Sequence, residues 1–350
     1  MKAPLFQTTF KANFKLLAMA NCNEHFEKYN GEIRLTDARR KKLKSSRKEL
    51  RNKVRKWFNE NKPDETQPKF NGQGSMSMDT IINPIPRKVI EGKEEVSKLY
   101  YDIDDGIYFE GYKSVAERPS PSTYHNWVYE AVKGHTNTDP IDKNTCIRTL
   151  FADGHNIDQP IYYKKGSVPE LAHKRHGYIE SDPKAFTEWF NDRADKEPQL
   201  RSLVRFGKGW CDKKDFENES KPMPSGLIIT ILIAENVVYR KDRDDIALKE
   251  TIVNIESVLK KGFACYRPTI PKGENLLKDY AHKDYFMKCL ADFIEDAKKA
   301  LQEKNNRKAT ELWRKYLSDR FPLGEDKDEI SNSSAGLVTI IPPTTKPYAE

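Results

Sequence analysis

The sequence predicts an α/β or α+β core with a mixed sheet, followed by a helical second domain. Two observations support this prediction. Between residues 80 and 163, short runs rich in β-branched and aromatic residues alternate with a helical pattern, which is typical of a mixed sheet. After residue 182 the hydrophobic period becomes helical. A chain of 350 residues has room for about two such domains.

The composition is that of a globular protein. Hydrophobic residues make up 37% of the chain, which is sufficient for a core. The longest apolar run, 227–234, is far shorter than the roughly 20 residues that cross a bilayer, so we expect no membrane partner. Five scattered cysteines without a Cys-x-x-Cys pair favour a reduced, cytoplasmic setting. The net charge of +8 suits an anionic partner, either a nucleotide or a nucleic acid.

Two helices are predicted before the core. Spaced Phe and Leu residues between 5 and 30 have an amphipathic period, and Thr36-Asp37 offers the start of a second helix. The segment 39–58 is strongly basic and carries an apolar stripe at helical spacing, formed by Leu43, Leu50, Val54 and Phe58. The segment is interpreted either as a nucleic-acid-binding face or as a solvated helix that packs by its stripe. The second interpretation is favoured, because basic charge alone reads no bases.

The remaining elements follow in chain order. Strands are expected around 80–82, 100–109 and 156–163, with a helix at 122–133 that Ser122 caps. Further helices are expected from Asp182-Pro183, at 198–210, from 226 to 238, and at 245–261, 283–303 and 307–317. The tail from residue 324 has no helical period and is expected to be disordered or loosely tethered.

The most informative stretch contains two carboxylates one residue apart, Asp102 and Asp104. Side chains i and i+2 of a strand share a face, so the two carboxylates project together. Like charges this close are unfavourable unless a cation lies between them, and Mg²⁺ prefers oxygen ligands that it shares with substrate phosphates. An exposed acidic turn has the same local pattern, so the stretch alone does not decide the function.

Two flanking motifs add weight to the metal interpretation. Gln73-Gly74-Ser75 follows a strand-like piece and precedes a helical turn, where glycine lets backbone amides approach an anion. Asp158 provides a third carboxylate on a strand that we expect beside the first. Three carboxylates would complete a two-metal site for in-line phosphoryl displacement.

The order of these motifs resembles the polymerase-β-like nucleotidyltransferase superfamily, and most of all the bacterial cGAS/DncV-like nucleotidyltransferases of CBASS anti-phage systems. Segments 203–210, 223–226, 268–276 and 313–322 also fit, so the resemblance covers about residues 60–322. It implies an α+β fold, with a nucleotidyltransferase core and a poly(A) polymerase/oligoadenylate synthase-like helical domain. The implied divisions are N-terminal helices with a basic spine helix at 1–60, the core at 61–182, the helical domain at 183–323 and a flexible tail at 324–350.

The resemblance also implies roles for individual residues. The implied ligands of two Mg²⁺ ions, with Mn²⁺ as the alternative metal, are Asp102, Asp104 and Asp158. The implied contacts of the donor triphosphate are Gln73, Gly74 and Ser75, with Lys208 and Ser225 as distal clamps. Ser225 is also expected to cap a helix. Beside these, Asp105 is expected to have a structural role, such as a turn hydrogen bond with Gly106 following, and His155 is expected to be structural as well.

The implied function is a cyclic di- or trinucleotide synthase that uses nucleoside triphosphates, ATP and GTP first. Its product would activate a separate effector in anti-phage defence in the bacterial cytoplasm. Some relatives are conjugated at the C-terminus by accessory ubiquitin-transfer-like proteins, a role that the tail permits. Two alternatives stay open: a template-independent polymerase with linear products, and a nucleic-acid-binding regulator that uses the basic helix.

Overall fold

The computed structural model describes residues 20–92 and 94–328. The strands of this part of the chain are β1 Lys69–Gln73, β2 Arg87–Glu91, β3 Glu94–Lys98, β4 Tyr101–Glu110, β5 Ile141–Asp142, β6 Cys146–Leu150, β7 His155–Lys164, β8 Glu170–His173 and β9 Gly177–Glu180. Its helices are α1 Asn23–Ile33, α2 Asp37–Asn61, α3 Gly74–Ser77, α4 Pro121–Val132, α5 Pro183–Ala194, α6 Gln199–Glu217, α7 Gly226–Asn236, α8 Asp244–Lys261, α9 Lys283–Gln302 and α10 Asn306–Leu317. The predicted spacing of Phe6, Phe10 and Phe14 and the tail beyond residue 328 lie outside the described residues.

The sheet is mixed, as the sequence predicts. Its strand order is β1-β4-β7-β6-β5, and β8 and β9 extend it from β7. Strands β4 and β7 are parallel, whereas β1 runs antiparallel to β4 and β6 antiparallel to β7. The long central strands β4 and β7 are the two strands that carry the acidic motifs. Their parallel pairing places the N-terminal halves of both strands at the same edge of the sheet.

Helix α2 packs on this sheet by its apolar stripe. Thr36 caps the helix and accepts a hydrogen bond from the amide of Arg39, as expected from the sequence. All four stripe residues are fully buried in one cluster with the sheet and α4, namely Leu43, Leu50, Val54 and Phe58. The packing interpretation of this helix is therefore confirmed.

A second core lies among the helices, built around aromatic residues of α6, α9 and α10, and α1 contributes Phe26 and Tyr29 to it. Helix α7 is apolar on every side and lies inside this core. A side-chain carbon on Gly207 of α6 would lie 2.5 Å from the Ile233 Cδ1 of α7. The glycine therefore allows α6 and α7 to pack closely. Among the described helices, none combines the length and the hydropathy needed to cross a membrane.

Two local predictions are wrong. Residues 80–82 form no strand; Ile82 makes only an isolated bridge with Arg34, and Pro84 and Pro86 follow at once, where a ladder would need amide donors. Helix α4 is present but begins one residue early, at Pro121, because Ser120, rather than Ser122, accepts the capping hydrogen bond from Thr123. Helix α6 also continues beyond the predicted end, to Glu217.

Candidate active site

A cleft of about 760 Å³ lies between the sheet and the helical domain. Seven of the eight predicted site residues line it: Gln73, Gly74, Ser75, Asp102, Asp104, Lys208 and Ser225. The eighth, Asp158, lies beside the cleft on β7. The fold therefore gathers residues from β1, α3, β4, α6 and the start of α7 around one space.

The three aspartates are brought together by the register of β4 and β7. Asp104 is the register partner of Asp158, and Asp102 is the partner of Asn156. Asn156 donates a hydrogen bond of 3.1 Å from Nδ2 to the Asp102 Oδ1. The spacing of two residues on each strand puts these side chains on one face. Asn156, which the sequence did not single out, thus orients the first carboxylate.

Asp104 is the aspartate of the three whose pKa is raised by burial and by the other two. Burial, and then the charges of Asp158 and Asp102, raise the pKa of Asp104 to about 7. Within the described part of the chain, no hydrogen bond reaches its carboxylate. A side-chain carbon on Gly74 would lie 2.1 Å from the Asp104 Oδ2, and Gly74 has a φ of +67°. Only glycine fits this close approach of the loop to the carboxylate.

An arginine that the sequence reasoning missed lies between the other two carboxylates. Arg148 on β6 is the register partner of Asp158. It donates to both Asp158 oxygens, from Nε at 2.6 Å and from Nη2 at 2.8 Å, and Nη2 also donates to Asp102 at 2.5 Å. Strand β6 was not predicted, so nothing in the motifs pointed to this contact.

The three aspartates offer the oxygen ligands that a divalent metal prefers, but the oxygens of Asp102 and Asp158 accept hydrogen bonds from Arg148 and Asn156. Across residues 20–92 and 94–328, no three His, Cys, Asp or Glu side chains converge as they stand to hold an ion. The guanidinium of Arg148 takes the position between Asp102 and Asp158. The chemistry of the set nevertheless fits Mg²⁺, because three carboxylates stand at neighbouring positions of β4 and β7 and the negative charge of Asp104 is destabilised.

The side chain of Gln73, the first residue of the Gln73-Gly74-Ser75 motif, is hydrogen-bonded to two tyrosines of the sheet. Its side-chain amide donates to the Tyr162 hydroxyl at 3.2 Å and accepts from the Tyr108 hydroxyl at 3.1 Å. The two tyrosine rings stack with centroids 4.7 Å apart. The residue is 5% exposed, and the amide that was expected to contact a triphosphate is already engaged by the two tyrosines. The Gln73 side chain is therefore placed to support the Gly74 loop from below.

The helical domain contributes a buried cation. Lys208 of α6 donates from Nζ to the Thr80 hydroxyl at 3.1 Å and to the Thr80 carbonyl at 3.2 Å. Burial lowers the pKa of Lys208 to about 8, although the nearby Asp104 opposes this shift. Ser225 caps α7, as expected, by accepting from the Ile228 amide. Both residues line the cleft opposite the carboxylates.

Asp105 has a structural role, as expected, but through an ion pair with Arg51 rather than through a turn hydrogen bond. Strand β4 continues through it to Glu110, so its side chain points away from that of Asp104. It is fully buried and pairs with Arg51 of α2, whose Nε donates to both carboxylate oxygens at 2.8 and 3.1 Å. The buried carboxylate thus joins β4 to the basic helix α2.

His155 has the structural surroundings that were expected. It is fully buried, its Nδ1 lies 2.5 Å from the Asp153 Oδ1, and its ring stacks on Phe151 at 4.2 Å. Burial lowers the pKa of His155, with the Asp153 carboxylate opposing the shift. The histidine therefore supports the start of β7 and does not face the cleft.

Comparison with known proteins assigns the segment that carries the aspartates. A family model described as "Cyclic GMP-AMP synthase DncV-like, nucleotidyltransferase domain" matches residues 68–162. This segment is similar to DncV-like nucleotidyltransferase domains. It contains the Gly74 loop and all three aspartates, and the predicted recognition is confirmed.

Relatives and solved structures agree with this assignment. A cyclic GMP-AMP synthase of Escherichia albertii is 31% identical over 187 residues, which are 49% of this chain and 38% of that protein. The match thus spans well under half of the curated relative. Vibrio cholerae DncV in complex with nonhydrolyzable GTP has a TM-score of 0.71 at 20% identity, covering 86% of this chain and 97% of that one. A DncV mutant in complex with ATP, GTP and 5MTHFGLU2 gives 0.70, also at 20% identity, covering 87% and 97%. The α+β fold with a helical domain is therefore shared with DncV.

Proposed function

We propose that the chain is a nucleotidyltransferase that joins nucleoside triphosphates into a cyclic dinucleotide. The observation that supports this most is the register of β4 and β7, which gathers Asp102, Asp104 and Asp158 beside the Gly74 loop. The Escherichia albertii relative is named a cyclic GMP-AMP synthase, and DncV has been solved with ATP and GTP. ATP and GTP are accordingly the substrates that we propose first.

The residues divide into two groups around the cleft. Asp102, Asp104 and Asp158 would hold two Mg²⁺ ions, with Mn²⁺ as the alternative. Bound there, the ions would stabilise the charge of the attacking and leaving oxygens. The backbone at Gly74 would lie against the triphosphate, and the ammonium of Lys208 would neutralise its distal charge. Ser225, at the N-terminus of α7, would add a hydroxyl donor.

Each of the two bond-forming steps in this scheme is an in-line substitution. A ribose hydroxyl attacks the α-phosphorus of a second triphosphate, the bond to pyrophosphate breaks, and the hydroxyl proton leaves to a carboxylate oxygen or water. A second attack within the linear product closes the ring and releases a second pyrophosphate. The protein contributes positioning and fixed charges. Anti-phage defence, a separate effector for the product, conjugation of the C-terminal tail and a trinucleotide product are proposals that rest on the family resemblance.

Product analysis tests the proposal. Purified protein is incubated with Mg²⁺ and the four triphosphates, with and without phage or cell extract to relieve regulation. We expect a phosphatase-resistant product whose mass equals that of the linear dinucleotide with its 5′-triphosphate less one pyrophosphoric acid, as ring closure requires. The double variant Asp102→Ala/Asp104→Ala should lose it, whereas Asp284→Asn, at an exposed carboxylate of α9, should retain it. A product that phosphatase degrades would instead identify a linear polymerase.

A nucleic-acid-binding role has a weaker structural basis. Part of the charge on α2 is used internally, since Arg40 pairs with Asp79, Lys42 with Asp153 and Arg51 with Asp105. Lys41, Lys44 and Lys48 remain exposed. Replacement of these three lysines by glutamine should leave cyclic product formation unchanged under the leading proposal. Salt-dependent RNA or DNA binding that falls together with product formation would favour the regulator.

A further inference from the structure

Arg148 occupies the position in which the proposed site would need a cation. It lies on the strand next to Asp158, and its side chain is only 20% exposed. One guanidinium bonds two carboxylates from different strands, Asp158 on β7 and Asp102 on β4. Planar guanidinium groups are suited to such two-pronged contacts with carboxylates.

The oxygens of the two carboxylates are fully engaged in this arrangement. Arg148 bonds both oxygens of Asp158 and the Oδ2 of Asp102, and Asn156 bonds the Oδ1 of Asp102. Asp104, the third member, is the carboxylate that no described hydrogen bond reaches. A divalent ion that used all three aspartates would meet a fixed positive charge in contact with two of them, which opposes its binding.

We propose that Arg148 is a positioning residue that takes the place of the metal in the metal-free site and releases Asp102 when a divalent cation binds. This inference rests on the proposed function, because the cation belongs to nucleotidyl transfer. In the metal-free protein the guanidinium holds two like charges together that otherwise repel. On metal binding the hydrogen bond from Nη2 to Asp102 is broken. The contact with Asp158 is retained, because Arg148 and Asp158 are register partners on adjacent strands.

The chain offers a matched control for charge alone. Lys143 also lies near Asp158, with its Nζ 3.3 Å from Oδ2, but it makes no contact with Asp102. Both Arg148→Met and Lys143→Met remove one positive charge beside the same carboxylate. Only the arginine variant removes the bridge between Asp102 and Asp158. A difference between the two variants therefore measures the bridge.

The test measures Mn²⁺ binding to the full chain without nucleotide, by electron paramagnetic resonance or calorimetry. Removal of a contacting charge that competes with the ion should tighten Mn²⁺ binding about tenfold or more in Arg148→Met, against about threefold or less in Lys143→Met. In EDTA, Arg148→Met should melt several degrees below wild type, and Mn²⁺ should restore more of its stability than it adds to wild type. Arg148→Lys, which keeps the charge, should bind Mn²⁺ with an affinity between those of wild type and Arg148→Met. If Arg148→Met does not fold, Arg148→Lys is measured in its place.

The possible outcomes separate this inference from the proposed function. Equal tightening in Arg148→Met and Lys143→Met would overturn the inference, since charge alone would account for it. Weaker Mn²⁺ binding in Arg148→Met would overturn it as well, because the arginine would then assist the metal. In either case a wild-type protein that forms the cyclic product leaves the proposed function intact. A wild-type protein that binds no Mn²⁺ and forms no product would overturn both.

Discussion

Asp104 and Asp158 are register partners on the parallel strands β4 and β7, and the charge of Asp158 adds to burial in raising the pKa of Asp104 to about 7. The carboxyl of Asp104 titrates near 3.9 in an unfolded chain, so its ionisation opposes folding. This cost is absent below about pH 4, grows as the pH rises, and is complete above about pH 7. The metal-free protein thus holds a charge that a bound cation would relieve.

Asp104→Asn should remove the loss of stability that ionisation of Asp104 causes. In EDTA we expect the variant and wild type to be about equally stable near pH 4, and the variant to be the more stable above pH 7, as measured by urea unfolding at a series of pH values. The same variant should lose at least about a thousandfold of product formation, because a charged ligand is gone. Stability curves that run parallel at every pH would contradict the electrostatic explanation.

Arg51→Met should destabilise the protein by about 3–5 kcal/mol, because it leaves the fully buried carboxylate of Asp105 without its counter-ion. Arg55→Met is the matched control: both guanidinium groups lie over the Phe70 ring, but Arg55 is exposed and contacts no carboxylate among the described residues. Urea unfolding should show a loss below about 1 kcal/mol for the control. The double variant Arg51→Met/Asp105→Asn should recover part of the loss, and similar losses in both single variants would contradict the assignment.

Tyr162→Phe should loosen the support of the Gly74 loop. It removes the hydroxyl to which Gln73 donates, so we expect a loss of about 1 kcal/mol in stability and a several-fold higher KM for the triphosphates. Tyr178→Phe is the control, since the Tyr178 hydroxyl donates to the Pro119 carbonyl away from the cleft. The control should lose similar stability with an unchanged KM. An unchanged KM in Tyr162→Phe would show that the hydrogen bond between Gln73 and Tyr162 does not help to position the Gly74 loop.

Triphosphate binding should weaken above pH 8 if Lys208 clamps the phosphates. Burial lowers the pKa of Lys208 to about 8, so the ammonium is present below that pH and is lost as the pH rises through it. KM should then rise by up to about tenfold per pH unit, because the neutral amine no longer attracts the anion. Lys208→Arg keeps its charge, so its KM should stay flat over the same range. A wild-type KM that is also flat would show that Lys208 does not bind the triphosphate.

Ser225 caps α7 and is proposed to contact the triphosphate, and two substitutions can separate these two roles. Aspartate caps helices as well as serine does, whereas alanine loses the cap at a cost of about 1 kcal/mol. Ser225→Asp should therefore keep the stability of wild type but raise the KM for triphosphates above that of Ser225→Ala, because its charge repels the phosphates. Thermal melting and steady-state kinetics provide the two readouts. A normal KM in Ser225→Asp would leave Ser225 as a helix cap alone.

The main elements of the fold could be predicted because their signals are local. Strands β4 and β7 are dense in β-branched and aromatic residues, and Thr36 and Asp182 cap their helices in the expected way. The sequence indicated that the strands of the three aspartates lie side by side but not their register, because the register of parallel strands is set by contacts far apart in the sequence. The stretch at 80–82 has strand-forming residues, but its amides bond elsewhere; the Thr80 amide, for example, donates to the Ser75 carbonyl.

The parts of the site that escaped prediction depend on partners remote in the chain. Arg148 belongs to a five-residue strand without a recognisable motif, and its role appears only when β6 lies beside β7. Asp105 reads as a turn residue beside Gly106 until Arg51 of α2 is placed against it. The buried amide of Gln73 is likewise visible only once the two tyrosines stack beneath it.

The ion pair between Arg51 and Asp105 limits how the protein can be divided for expression. The segment 68–162 that matches a nucleotidyltransferase family includes Asp105 but omits Arg51, and it also omits Lys208 and Ser225. A fragment cut at these bounds would contain every acidic residue of the site with a buried charge left unmatched and one wall of the cleft missing. The segment matched by the family model is therefore smaller than the unit that folds, and a shortened version should retain the helices from α1 through α10, because α1, α9 and α10 complete the core around α6 and α7.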